Sequence, residues 1–237
     1  MSVYAMSDLH LALSADKPMD VFGGGWSDYM ERIRQNWINA VNPEDTVLIG
    51  GDVSWAMYLD ECRADFDFIE SLPGTKIISK GNHDYWWESI TKLNNYVKNA
   101  GYKTINFLHN NSFLAENYGI CGARGWLLPS SDSFKTDDIK LYEREVGRLA
   151  LSAQSLEKTG GDIRVAMLHY PPIDKNGVPD EGFASVMKQY DINVCLYGHL
   201  HSYATSGAFC GVADGIEYRL VSSDYMKFIP YKLNFRK

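Results

Sequence analysis

Cysteine is scarce: Cys62, Cys121, Cys195 and Cys210 are scattered through 237 residues, and no two form a C-x-x-C pair. A reducing, cytoplasmic setting is therefore expected. No apolar run approaches the ~18 residues that a membrane span needs. The first residues, Met1-Ser2-Val3-Tyr4-Ala5-Met6, show no basic segment, apolar stretch and cleavage site of an export signal, and read instead as a β-strand. Basic blocks are missing as well. With 23 Lys and Arg against 30 Asp and Glu, the formal net charge is −7, so nothing draws the chain toward a long polyanion, and no long nucleic acid partner is expected. Repeats, low-complexity stretches and linkers are also lacking. Apolar residues at 45% and charged ones at 22% describe an ordinary globular chain, expected to form one domain over residues 1–237.

Histidine is also sparse, but it is not scattered. Five of the six histidines fall in short clusters: Asp8-Leu9-His10, Gly81-Asn82-His83-Asp84, Leu168-His169-Tyr170-Pro171-Pro172 and Gly198-His199-Leu200-His201, with Gly51-Asp52-Val53-Ser54 as a fifth block. Imidazole mixed with carboxylate and amide oxygen suits Zn, Fe, Mn or Ni, and with no cysteine in any cluster, thiolate and iron–sulfur sites are disfavoured. In an extended segment residues i and i+2 project to one side, so Asp8 and His10 form one clamp and His199 and His201 another. Two cations held about 3.5–4 Å apart need a bridging anion, and Asp52 is the natural bridge. Gly50 and Gly51 before it allow close backbone approach. His109 matches no cluster and reads as a structural histidine. Asp84 is ambiguous: it could orient His83 or a ligand, or cap a helix beginning at Tyr85.

Strand patterns cover Val3 to Met6, Thr46 to Ile49, Lys76 to Ser79, Arg164 to Leu168 and Asn193 to Tyr197, and each runs into one of the blocks. Helical patterns cover Asp60 to Ser71, Trp86 to Asn99 and Asp138 to Lys158. Another starts after Ser27, a possible N-cap, and carries Met30, Ile33, Trp37 and Val41 on one face. This alternation predicts βαβ units and a mainly parallel sheet, with ligands collecting at the carboxyl ends of the strands. The segments 112–124 and 202–223 read as antiparallel hairpins, turning near Asn117-Tyr118-Gly119 and Ala213-Asp214-Gly215.

The order and spelling of the five blocks resembles the calcineurin-like metallophosphoesterase family, whose pattern is D-x-H, GD, GNH, a lone H and GHxH; the likeness runs from Asp8 to His201. It implies an α/β fold, a four-layer αββα sandwich of two mixed sheets flanked by helices. It also implies a cofactor of two divalent transition-metal ions (Mn, Fe or Zn). By the resemblance the first ion takes Asp8, His10, Asp52 and His201, and the second Asp52, Asn82, His169 and His199. His83, the GNH histidine, is the catalytic residue that protonates the leaving oxygen or stabilises charge, a role suited to a group with a pKa of about 6.5. The family's protein phosphatases carry an aspartate and an arginine shortly after GD, whereas this chain reads Ser54-Trp55-Ala56. What orients His83 is thus open, and the GHxH ending points to the phosphodiesterase-like branch. Arg124, flanked by glycines, is the candidate substrate-binding cation, since arginine can grip phosphate oxygens bidentately. Tyr85-Trp86-Trp87, Trp55, Trp126 and Tyr170 could form an aromatic rim or could be core. The expected activity is hydrolysis of a small phosphomonoester or phosphodiester. A nuclease acting on short nucleic acid is the alternative, and a non-catalytic scaffold is disfavoured because all seven ligands and His83 are present.

Overall fold

The computed structural model describes residues 1–15, 17, 19 and 24–235. Eleven strands among these residues build two sheets. The first holds β1 (Val3–Met6), β2 (Thr46–Gly50), β3 (Thr75–Ser79), β4 (Ile105–Phe107) and β11 (Tyr231–Lys232) in the order β11-β1-β2-β3-β4. In the second, β5 (Phe113–Ala115), β6 (Tyr118–Ala123), β7 (Ile163–Leu168), β8 (Val194–Tyr197), β9 (Gly211–Ala213) and β10 (Ile216–Leu220) run β5-β6-β7-β8-β10-β9. Each sheet is parallel in its interior and antiparallel at an edge, so both are mixed.

Alternation along the strands explains the layers. Val3, Ala5, Leu48 and Ile77 of the first sheet meet Ile120, Val165, Met167 and Leu196 of the second in one buried cluster between the sheets. Their neighbours point the other way. Tyr4, Met6, Val47, Ile49 and Ile78 pack under the helices α1 (Tyr29–Ala40), α2 (Arg63–Ser71) and α3 (Ile90–Ala100), through Ile33, Trp37, Phe66, Ile69 and Leu93. On the far side Cys121, Ala166, Leu168 and Cys195 pack under α4 (Ile139–Thr159) and α5 (Glu181–Gln189), through Leu149, Ala153, Leu156, Phe183 and Met187. Strands buried on both faces read as continuous apolar runs, which is why they were visible in the sequence. The result is helix, sheet, sheet, helix. Among the described residues no helix is long and apolar enough to cross a membrane.

Several boundaries differ from the sequence reading. The first helix is preceded by Asp28, not Ser27; Asp28 has φ 51° and makes no side-chain cap, and the helix is held instead by its buried face of Tyr29, Ile33 and Trp37. Trp86 to Ser89 are not helical: α3 begins at Ile90 because the Ser89 side chain accepts from the Lys92 amide. Strand β6 starts at Tyr118, so the first hairpin turns at Glu116-Asn117, with Glu116 at φ 55°. In the second hairpin Asp214 and Gly215 turn at φ 51° and 79°, both in the left-handed region that a two-residue hairpin loop requires. The hairpin itself is confined to β9 and β10, because Ser202–Gly207 winds into a 3₁₀ helix. Helix α5 was not foreseen; Gly182 inside it weakens the pattern, while Asp180 caps it by accepting from the Phe183 amide at 3.1 Å.

Candidate metal centre

All the motif residues gather where β1, β2, β3, β7 and β8 end. Asp8 and His10 follow β1, Asp52 follows β2, and Asn82 and His83 follow β3, while the second sheet brings His169 from β7 and His199 and His201 from β8. These loops are not extended, contrary to the i, i+2 argument. Strand β1 stops at Met6, and Asp8, His10, Asp52 and His199 take φ of 57°, 47°, 50° and 70°. Such backbone costs energy for a residue with a Cβ and survives only where surrounding contacts fix it. Here the Asp8 amide donates to Gly51 O at 3.0 Å and the His10 amide to Asp52 O at 2.9 Å, locking the first loop onto the second.

Two glycines make that approach possible. A Cβ on Gly51, at φ 85°, would lie 2.5 Å from the Gly81 nitrogen, and one on Gly81 would lie 2.1 Å from Asp52 Oδ1. The loops after β2 and β3 therefore touch backbone to backbone. Asp84 sets their spacing. It is fully buried and accepts from the amides of Gly81 (2.7 Å), Asp52 (2.9 Å), Val53 (2.8 Å) and Ser54 (3.4 Å) and from Trp86 Nε1 (3.0 Å). It caps no helix.

Asp8, His10 and Asp52 each offer a ligand atom, all within 4.8 Å of one another, and all three are buried. His10 Nε2 is sequestered from water with no hydrogen bond, 3.9 Å from Asp52 Oδ2. The His201 ring stands edge-on to His10 at 5.3 Å. Next to this group, Asn82 Oδ1 lies 2.8 Å from His169 Nε2 and 2.9 Å from His199 Nδ1, and His169 Nε2 lies 3.3 Å from Asp52 Oδ2. Asp52 belongs to both groups. His169 Nδ1 faces Gly50 O at 3.0 Å, which turns Nε2 toward the oxygens.

The electrostatics fit a site built for cations. Burial opposes a charge on His169, yet Asp52 and Asp8 overcome it and raise the imidazole to about 9, so a proton on Nε2 supplies positive charge among the oxygens. Burial would raise the Asp52 carboxyl as well, but the imidazoles of His169, His10 and His83 hold it well below the usual range. His10 and His199 are pushed down to about 3, chiefly by burial, which keeps each ring neutral with one nitrogen unprotonated and available as a ligand. An orphaned buried imidazole nitrogen beside two carboxylates is what a divalent ion would complete.

His83 stands at the rim, partly exposed, with its amide donating to Asp52 Oδ1 at 2.8 Å. Its ring packs 4.6 Å from Trp55, which also stacks on His10 at 4.9 Å and 24° between planes. Burial, the largest influence, lowers its pKa. Of the candidate rim residues Trp55 therefore lies at the cluster, its ring against both His10 and His83. Asp84 is undecided in the sequence because sequence cannot show that four loop amides converge on it. Of the possible aromatic rim, Trp86 and Trp87 are core, at 1% and 9% exposed, whereas Tyr85 is 58% exposed. Tyr170 is buried and packs 4.1 Å from His199.

Arg124 does not reach into the cluster as an idle cation. Its Nη2 bonds Glu145 Oε1 at 3.3 Å, its guanidinium covers the Trp126 ring at 4.3 Å, and its Nε is buried with no hydrogen-bond partner. Its carbonyl accepts from the amides of His169 (3.0 Å) and Tyr170 (2.9 Å). His109 lies 6.2 Å from the Trp87 ring, away from the ligand groups.

Solved structures share this architecture across nearly the whole chain. A phosphopantetheinyl hydrolase from Mycobacterium tuberculosis superposes with a TM-score of 0.56 at 15% identity, covering 98% of this chain and 95% of that one. A protein of unknown function from Aquifex aeolicus gives 0.52 at 14% identity (98% and 95% covered), and a protein of Thermus thermophilus gives 0.53 at 12% (99% and 98%). At such identities the likeness shows the fold. No curated protein matches the chain. The family model of calcineurin-like phosphoesterases matches residues 1–203, and the chain accordingly belongs to that family of metal-dependent hydrolases.

Proposed function

We propose that the chain is a single-domain, cytoplasmic, binuclear phosphohydrolase that cleaves a small phosphomonoester or phosphodiester. The observation that carries the reading is Asp52, which faces His10 on one side and His169 with Asn82 on the other. Asp8, His10, Asp52 and His201 would hold one divalent ion, and Asp52, Asn82, His169 and His199 the second. When bound, such ions polarise phosphoryl oxygens and make a hydroxide nucleophile available near neutral pH. The chain's own groups do the rest. His83, at the partly open rim, donates a proton to the departing oxygen, and its backbone bond to Asp52 ties its position to the ligand it shares a loop contact with. Arg124 is the proposed further phosphate contact, which requires its guanidinium to turn away from Glu145. The net charge of −7 supports small esters over long polyanions.

Elemental analysis tests the metal count: two ions per chain after saturation with Mn, Zn or Fe are expected, and at most one would sink the binuclear centre. Asp52→Asn should weaken both sites together. His83→Gln should keep both ions while kcat falls roughly 10²–10⁴-fold, less for nitrophenyl esters, whose leaving groups need little protonation. Lost metal in that variant would show that His83 is a ligand instead. Cleavage of long DNA or RNA that outpaces every small ester, with steep salt dependence, would favour a nuclease.

A further inference from the structure

Tyr85, two residues after His83, lines a groove whose walls include no metal ligand. His83 lies between two aromatic rings, Trp55 at 4.6 Å and Tyr85 at 6.3 Å. Tyr85 forms one wall of the groove, which has a volume of about 780 Å³. Met57 and Tyr58, 52% and 70% exposed, form another. Both walls grow from the loops that carry Trp55 and His83. A volume of this size lies within the ~300–1,000 Å³ typical of small-molecule sites.

The charges along the groove cancel. Asp60 and Glu88 face Arg63 and Lys92, and both cations are already paired, Arg63 with Asp67 at 3.1 Å and Lys92 with Glu88 at 3.1 Å. A second phosphate would therefore find no unpaired cation among the described lining residues. Hydrogen bonding is available from the side-chain amides of Asn95 and Asn99.

We infer that this groove receives the leaving group, and that the substrate is a phosphate ester of an uncharged, partly apolar alcohol. The inference rests on the proposed role of His83: an acid must reach the leaving oxygen within hydrogen-bond distance, so the alcohol's first carbons lie beside the rings that flank it. Exposed Met57, Tyr58 and Tyr85 then lose water as an apolar chain covers them.

Ethyl, hexyl and 4-phenylbutyl phosphates, with a hexyl chain ending in a second phosphate as the charged control, test this. Ethanol and hexanol leave almost equally well, so any difference reports contact with the chain. The hexyl and phenylbutyl esters should exceed the ethyl ester in kcat/KM by about tenfold or more, Tyr58→Ala should collapse the hexyl-to-ethyl ratio, and the second phosphate should abolish the gain. Calorimetry with hexylphosphonate and ethylphosphonate on metal-loaded protein needs no turnover and should show the same preference. Equal phosphonate affinities, a flat ester series or a gain from the charged end would overturn the inference. Tighter hexylphosphonate binding with no hydrolysis of any ester would instead sink the phosphohydrolase reading and keep the groove.

Discussion

Two fully buried carboxylates flank the catalytic loops, and they are neutralised in opposite ways. Asp84 is held by dipoles: four loop amides, of Gly81, Asp52, Val53 and, at 3.4 Å, Ser54, and an indole N–H, with no cation in hydrogen-bond reach among the described residues. Glu145, on α4, is held by charges, with Arg124 at 3.3 Å, Arg144 at 3.7 Å and Arg148 at 2.8 Å from one oxygen. Dipoles leave the charge incompletely compensated, and burial together with the Asp52 carboxylate pushes Asp84 up to about 6. What Asp84 gains in exchange is geometry. Its partners are backbone atoms of the loops that present Asp52 and Asn82, whereas Glu145 binds the flexible tips of arginines, two of them on its own helix.

The largest effect should follow from breaking the first arrangement. Asp84→Ala would strand four buried amides and an indole N–H, at about 1–3 kcal/mol for each group left unsatisfied, and would free the two loops from one another. The expected outcome is loss of several kcal/mol and of bound metal, read by denaturant unfolding and elemental analysis. Asp84→Asn keeps one acceptor oxygen and should fall between the two. Full metal content in Asp84→Ala would mean that the glycine contacts alone set the loop spacing.

Glu145→Gln removes the charge that the arginines share while preserving the shape of the side chain. Arg124 keeps its stack on Trp126, and its carbonyl still receives the His169 and Tyr170 amides. A cost of about 1–3 kcal/mol in stability is therefore expected, with two metals retained and kcat changed less than in His83→Gln. A metal loss comparable to Asp84→Ala would erase the distinction between the two carboxylates.

The same contrast explains what the sequence disclosed. Strands buried on both faces were legible as β-branched apolar runs, and the clustering of His, Asp and Asn into short blocks at strand ends marked the residues that the fold brings together. The i, i+2 argument pairs Asp8 with His10, and these two do come together with Asp52, but through left-handed backbone and not along an extended strand. Asp84 was illegible because its partners are backbone atoms, which every residue possesses. Trp55 was legible only as one of several aromatic residues beside the motifs, and nothing in the sequence tells that its ring contacts both His10 and His83 while Trp86 is core. Arg124 drew attention through its flanking glycines, while its partner Glu145 lies 21 residues on and looks like any helical glutamate.

Lys76 extends the contrast to a buried cation held by dipoles. It is fully buried, and its ammonium donates to Leu72 O and, at 2.9 Å, to Thr104 Oγ1. Burial pushes its pKa down to about 8, against the weaker pull of Glu70. The unfolded chain, with the ordinary value of about 10.5, binds more protons between pH 8 and 10.5, so this group adds stability as pH rises through that window. Below pH 8 the folded state carries the full burden of a buried ammonium. Lys76→Met removes the ionisation while keeping much of the stem's volume, so wild type should gain on the variant between pH 8 and 10.5 by about a few degrees in Tm. Parallel Tm curves would mean that the two oxygens stabilise the ammonium as well as water does, and that dipoles compensate Lys76 better than they compensate Asp84.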